Sequence, residues 1–119
     1  MSILKSFIAT MGGARPITVS SNWSFDSGTS PRPSADRTLT VPSGNPGTLT
    51  FAVTLTGSLS QYRKNSGSYV GLVDGDITGW ANGDTLGFLL FGSSGDEMTV
   101  TVTDTATGTL VGDWTGQIS

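Results

Sequence analysis

The 119-residue chain contains no cysteine and no histidine. Without cysteine there is no disulfide, no thiolate nucleophile and no sulfur ligand for a metal, and the redox compartment stays open. Without histidine the chain lacks the commonest general base and the commonest metal ligand. Charge is scarce as well: Asp, Glu, Lys and Arg make up 13% of the residues, so much of the surface must be hydroxyl and amide. No apolar run approaches the ~20 residues that cross a bilayer as a helix, and membrane insertion is not expected. A formal net charge of −3 argues against nucleic acid as a partner, because a phosphate backbone selects basic surfaces.

Basic charge is missing from a whole half of the chain. Lys5, Arg15, Arg32, Arg37, Arg63 and Lys64 fall in the first 64 residues against Asp26 and Asp36, a net charge of +4. Residues 65–119 hold Asp74, Asp76, Asp84, Asp96, Glu97, Asp104 and Asp113 with no base, a net charge of −7. Oppositely charged halves suit copies that meet positive surface to negative surface. The alternative is that folding interleaves the halves and mixes their charges.

What the chain has in quantity is glycine, 17 residues of it, with abundant serine and threonine. That composition favours tight turns and half-exposed strands. The length suits one domain able to bury a core without disulfide or metal staples. In residues 48–56, Leu49, Phe51, Val53 and Leu55 share one face with mostly threonines opposite, the period of a half-buried strand. Met98, Val100 and Val102 alternate with Thr99, Thr101 and Thr103 in the same way. Asp104 and Gly108 bracket a turn, and residues 109–114 read as the return strand, burying Leu110 and Trp114. Residues 86–91 are apolar on both faces and so read as a central strand. Further strands are expected at 17–21, 22–25, 37–41 and 69–73, divided by Ser/Gly/Pro stretches at 26–35 and 42–47. The expected fold is all-β: an antiparallel β-sandwich over residues 15–119, immunoglobulin-like or jelly-roll in layout. Its core should contain Leu49, Phe51, Val53, Leu55, Leu86, Phe88, Val100, Val102 and Leu110.

Residues 1–14 stand apart as an N-terminal arm or edge strand. Leu4, Phe7, Ile8 and Met11 have helical spacing before Gly12-Gly13, whereas Ile3, Lys5, Phe7, Ala9 and Met11 would share one face of a strand. The start faintly resembles a signal peptide, but Ser6 and Thr10 break its apolar stretch, and synthesis in the cytoplasm is expected. Ile3, Leu4, Phe7, Ile8 and Met11 are candidate subunit contacts, because so apolar a segment favours burial against a neighbour. Lys5 and Arg15 could then meet acidic turns such as Asp96-Glu97 or Asp104 of that neighbour.

No constellation for catalysis stands out. A Ser nucleophile would have to rely on Lys5 or Lys64, and Ser66 and Ser68 beside Lys64 read more simply as a loop. The single Glu and the several Asp, mostly beside Gly, read as turn residues rather than as a glycosidase pair. Asp74, Asp76 and Thr78 ahead of Gly79 resemble the opening of a calcium loop, but Thr85 stands where the closing bidentate acid belongs, with Asp84 one place early. A plain turn is the expected reading, and no metal or cofactor is expected. Trp80, in a Gly-flanked loop rather than an alternating strand, is a possible ligand contact: a flat aromatic face can stack on a sugar ring. Gly71, Gly87 and Gly112 inside expected strands imply bulges or close backbone approach, including approach by another copy.

The Thr/Gly/Ser-rich strands, the lack of Cys and His, and the stretches Asn82-Gly-Asp-Thr-Leu86 and Met98-Thr-Val-Thr-Val-Thr-Asp-Thr-Ala-Thr-Gly-Thr-Leu110 resemble the small β-sandwich structural proteins of tailed-bacteriophage virions. The resemblance implies a non-enzymatic part of a virion, as a tail, fibre or baseplate component that self-associates into a homo-oligomer or docks on other virion proteins. It also leaves open a capsid decoration protein. A carbohydrate- or receptor-binding module for a host-surface glycan is the alternative that Trp80 and the acidic loops suggest.

Overall fold

The computed structural model describes residues 14–57 and 59–119 and is all-β, with no helix among them. Alternation is the organising signal. Strand β5 (Leu49–Leu55), β10 (Glu97–Asp104) and β11 (Leu110–Ile118) carry apolar or glycine residues on one face and mainly hydroxyl or charged residues on the other. These three strands pair side by side. With β2 (Ser24–Gly28) and β8 (Gly75–Ile77) at the edges they form a five-stranded sheet in the order β2-β11-β10-β5-β8.

The second sheet is built around β9 (Thr85–Phe91), which pairs with β6 (Leu59–Lys64) along its whole length. On its other side β9 takes β3 (Arg32–Pro33) and β4 (Arg37–Thr40), and the order β1-β4-β9-β6-β7 is completed by β1 (Thr18–Val19) and β7 (Val70–Gly71). The chain crosses between sheets at both sides: from β1 to β2 at one, from β7 to β8 at the other. Among the described residues the edge strands β1, β7 and β8 are only two or three residues long, which limits uncontrolled edge pairing.

The inner faces meet over an aromatic spine. Trp114 stacks on Phe88 with ring centroids 5.8 Å apart, Phe88 meets Phe51 edge-on at 6.3 Å, Phe51 stacks on Tyr62 at 5.8 Å, and Trp23 closes edge-on upon Phe88 at 5.2 Å. Two of the three buried indoles are satisfied: Trp23 Nε1 donates to the Leu86 carbonyl and Trp114 Nε1 to Asp26, each at 2.8 Å, whereas Trp80 Nε1 has no partner among the described residues. Room for these rings comes from β11, whose inward face reads Gly112, Trp114, Gly116, Ile118. A Cβ at Gly112 would lie 2.9 Å from Cζ3 of Trp23, and one at Gly116 would strike the Trp114 ring itself. Gly87 likewise yields its place to the Asp36 carboxylate. Gly87, Gly112 and Gly116 therefore answer to this chain's own side chains, while Gly71 has open space beside it.

The sandwich expected from the sequence is present, with differences of detail. One strand pair is parallel, β2 with β11, in an otherwise antiparallel fold. Leu49, Phe51, Leu86, Phe88, Val100 and Val102 are buried as expected and Val53 is half-buried, but Leu55 and Leu110 are 37% and 58% exposed. Leu55 lies at the open end of the sandwich. Leu110 is turned out by a bulge: the register shifts between Val102 and Thr103, so Leu110 pairs with Thr103 on the threonine face while Gly112 and Trp114 stay inward. Residues 75–77, expected as part of a turn, form an edge strand on β5. The arm expected at residues 1–14 lies, except for Ala14, outside the described residues, as do its contact residues Ile3, Leu4, Phe7, Ile8 and Met11.

Candidate assembly surface

The outer face of the β9 sheet carries neighbouring apolar side chains that meet solvent. On β9, Leu86, Phe88 and Leu90 point into the core, which leaves Gly87, Leu89 and Phe91 on the outside. Phe91 stands opposite Leu59, and Leu89 lies between Gln61 of β6 and Pro33 of β3. The β6–β7 register places Gly71 beside Gln61, and the Leu72 N–H continues the pairing to the Ser60 carbonyl, which sets Val73 beside Leu59. The result is a row across three chain segments, Val73–Leu59–Phe91, with Val73 74% and Leu59 43% exposed and Leu89 buried behind it. Acids rim this end: Asp96 packs against Gly57 and Gly92, Glu97 is exposed and bonded through its backbone to Thr56, and Asp74 follows Val73 directly.

Further along the same face the surface is closed by charge pairing. Arg63 grips Asp36 with two parallel bonds, Nε to Oδ1 at 3.1 Å and Nη2 to Oδ2 at 2.7 Å, and its guanidinium lies 4.8 Å over the Tyr69 ring. The bond to Asp36 raises the Arg63 pKa, and burial raises that of the Tyr69 phenol against the lowering effect of Arg63. At the opposite end of β9, Lys64 lies 3.4 Å from Asp84 and donates to the Gly79 carbonyl at 2.6 Å. Burial pushes the Asp84 carboxyl up. The Ala81 N–H, the Asn65 amide and the Lys64 ammonium together overcome this and hold it below the ordinary carboxylate value. The Lys64–Asp84 pair joins the basic half of the chain to the acidic half, while the Arg63–Asp36 pair lies within the basic half.

The residues singled out from sequence fall elsewhere. Trp80 is only 4% exposed, with Lys64 Nζ 5.2 Å above its ring and Tyr62 packed beside it, so it offers no open stacking face. Its Gly-flanked position was mistaken for an exposed loop; the backbone is pinned by the Trp80 N–H to the Gly47 carbonyl. Asp74, Asp76 and Asp84 do not converge. Asp74 accepts from the Val53 N–H, Asp76 from the Thr50 hydroxyl and Asp84 from the Ala81 N–H, and no group of three potential acidic ligands occurs among the described residues. Ser66 donates to Asp36 at 3.3 Å and Lys64 to Gly79, so they do not form a Ser–Lys pair.

Asp104 is fully buried and cannot meet a neighbour's Arg15. It accepts from the Ile17 N–H, the Asn45 amide, the Ala106 N–H and the Thr107 hydroxyl, and so ties the entry strand and two loops together. The turn role expected for it holds, but its reach is tertiary.

The outer face of the five-stranded sheet is a field of hydroxyls: Thr50, Thr54, Thr99, Thr101, Thr103 and Thr115. Thr99 and Thr115 bond to each other at 3.3 Å, and Thr50 meets both Thr105 and Asp76. Phe25, 55% exposed, stands on this face beside Thr115, near the Asn22–Asp113 bond of 2.7 Å. Sequence reading missed Leu59, Val73, Phe91 and Phe25 as surface groups. Leu59 and Phe25 stand isolated among polar residues while Val73 and Phe91 close apolar runs, patterns equally expected of core positions. Comparison with known protein families and with curated proteins finds no match to this chain.

Proposed function

We propose that this protein is a non-enzymatic structural subunit that self-associates into a homo-oligomer and docks on other proteins of a larger assembly. The observation that carries the reading is the row Val73–Leu59–Phe91, apolar, with Val73 and Leu59 exposed and Phe91 half-buried, set on a sheet face that the described strands leave uncovered. Lone exposed leucines are ordinary, but contiguous apolar side chains rimmed by acids favour a partner. The apolar residues of the N-terminal segment add a second contact element. Resemblance of the Thr-rich strands to phage sandwich proteins supports assignment of the assembly to a tailed-phage virion, as tail, fibre, baseplate or capsid-decoration component made in the host cytoplasm. The test is the mass of the full-length chain by light scattering across a concentration series. A mass of several chains is expected, weakened only modestly by salt because apolar contacts dominate.

A second reading, binding of a host-surface carbohydrate, is favoured by Phe25, whose ring stands open beside polar Asn22, Asp113 and Thr115. It takes the place held in the sequence reading by Trp80. A chain that stays single at all concentrations and binds glycans, with binding lost in Phe25→Ala, would install this reading over the first.

A further inference from the structure

We propose that the row Val73–Leu59–Phe91 receives residues 3–11 of a second copy of this chain; the inference rests on the self-association reading and names its acceptor surface. From Ala14, residues 7 and 8 of the same chain cannot reach the row. Thr18 stands opposite Thr40, and Thr38 opposite Thr85, so β1 is antiparallel to β4 and parallel to β9. Thr18 therefore lies near the start of β9, level with a point before Thr85, and the residues that precede it run away from Phe91. Along the strands the row lies about 27 Å from Thr18, and three strand spacings add about 14 Å across, roughly 30 Å in all. Ala14 stands further back still, beside Arg15, whose carbonyl is held by Asn45. From Ala14 to Phe7 the chain spans at most about 25 Å even when fully extended. Phe7 and Ile8 cannot cover their own molecule's row, whereas those of a neighbour can.

The chemistry of the two parts matches. Residues 3–11 offer apolar side chains on both sides of an extended chain, Ile3, Phe7 and Met11 on one and Leu4 and Ile8 on the other, with Lys5 among them. The acceptor offers Val73, Leu59 and Phe91 with Asp96 at the same end, against Gly92 next to Phe91, while Asp74 is bonded to the Val53 N–H and Glu97 faces outward from the other sheet. The outward base on the same strand, Arg63, is already taken by Asp36 and so does not repel Lys5. The point from which the arm departs, before Thr18, and the acceptor at Phe91 lie at opposite ends of the sheet, so each copy can give one arm and receive another. This builds either a reciprocal pair or a head-to-tail series.

The test uses two full-length variants and their mixture. Leu59→Asp with Val73→Asp removes the acceptor and keeps the arm; Phe7→Asp with Ile8→Asp removes the arm and keeps the acceptor. Each alone should show the mass of one chain where the wild type shows several, with the dissociation constant raised at least about tenfold, and each should keep the β-type circular dichroism of the wild type. Mixed in equal amounts they should recover a two-chain species, because one arm and one acceptor remain intact. If the aspartates impair folding, Leu59→Gln with Val73→Thr removes the apolar row while keeping strand-compatible residues. An acceptor variant of wild-type mass, or a mixture that stays at one chain, would overturn this inference and leave self-association standing. A wild type that is itself a single chain would remove both.

Discussion

The two sheets of this sandwich share one core and differ on their outer faces. Outside the five-stranded sheet, threonines face water and some bond to each other, as Thr99 does to Thr115, with Phe25 and Leu110 as separate exposed apolar groups among them. Outside the other sheet, β9 carries Leu89 and Phe91 where β10 carries threonines, and Leu59 and Val73 extend the apolar surface to its edge. Burial on one face makes a strand alternate; burial on both makes it continuous. The continuous run in β9 is thus a record of cover on its outer side, and the described chain supplies that cover only in part: Pro33 and Gln61 flank Leu89, and Asp36 fills the space over Gly87.

The shared inner face is the place where the two sheets can be broken together, and there the effect should be largest. Phe88 touches Trp23, Phe51 and Trp114 and is fully buried. Phe88→Ala should cost about 3–5 kcal/mol of stability by urea unfolding, through lost transfer energy and a residual cavity. An outcome below about 1 kcal/mol would mean that the spine is not the core of the fold.

The contrast between the outer faces predicts unequal costs for equivalent truncations. Leu89→Ala, at an 8% exposed position on the apolar side, should cost about 2 kcal/mol, while Thr101→Ala on the threonine side should stay within about 0.5 kcal/mol. Equal losses in the two denaturation midpoints would erase the distinction.

The smallest effect concerns the ion pair at the far end of β9. The Asp84 carboxyl is held below its unfolded value, so it contributes stability that is fully present above the unfolded carboxylate pKa of ~3.9 and is lost as pH falls through the lower folded value. Because Lys64 is largely exposed, the contribution should be under about 1 kcal/mol. Asp84→Asn should flatten the acid limb of the stability profile below about pH 4 and leave the difference from wild type constant above about pH 5. A profile unchanged in that window would remove the pair from the stability of the fold.

How far the sequence reaches can be judged strand by strand. β5 and β10 were plain because apolar residues and threonines alternate without interruption. β6 was not identified as a strand at all: Leu59 points outward and Ser60 inward, so its polarity runs opposite to its burial over the first two residues. β8 was hidden in an Asp-Gly-Asp sequence that has the composition of a turn, and only its pairing with Leu49–Phe51 makes it a strand. Leu110 followed the correct alternation but lost its place to one extra residue in the hairpin. Trp80 reads as open because Gly79 and Gly83 bracket its segment, yet Tyr62 and Lys64, distant in sequence, cover it.

By itself the sequence determined the all-β class, the inner faces of the three longest strands, the absence of thiol and imidazole chemistry, and the apolar character of residues 3–11, since each depends on composition or on a local period of two. Only the tertiary structure decided which isolated leucines and valines were left outside, that Asp104 serves the interior, that Gly112 and Gly116 exist for tryptophan rings, and that Leu59, Val73 and Phe91 stand in one row. These depend on register between segments far apart in the chain, and a shift of one residue in register exchanges the buried and exposed faces of a strand.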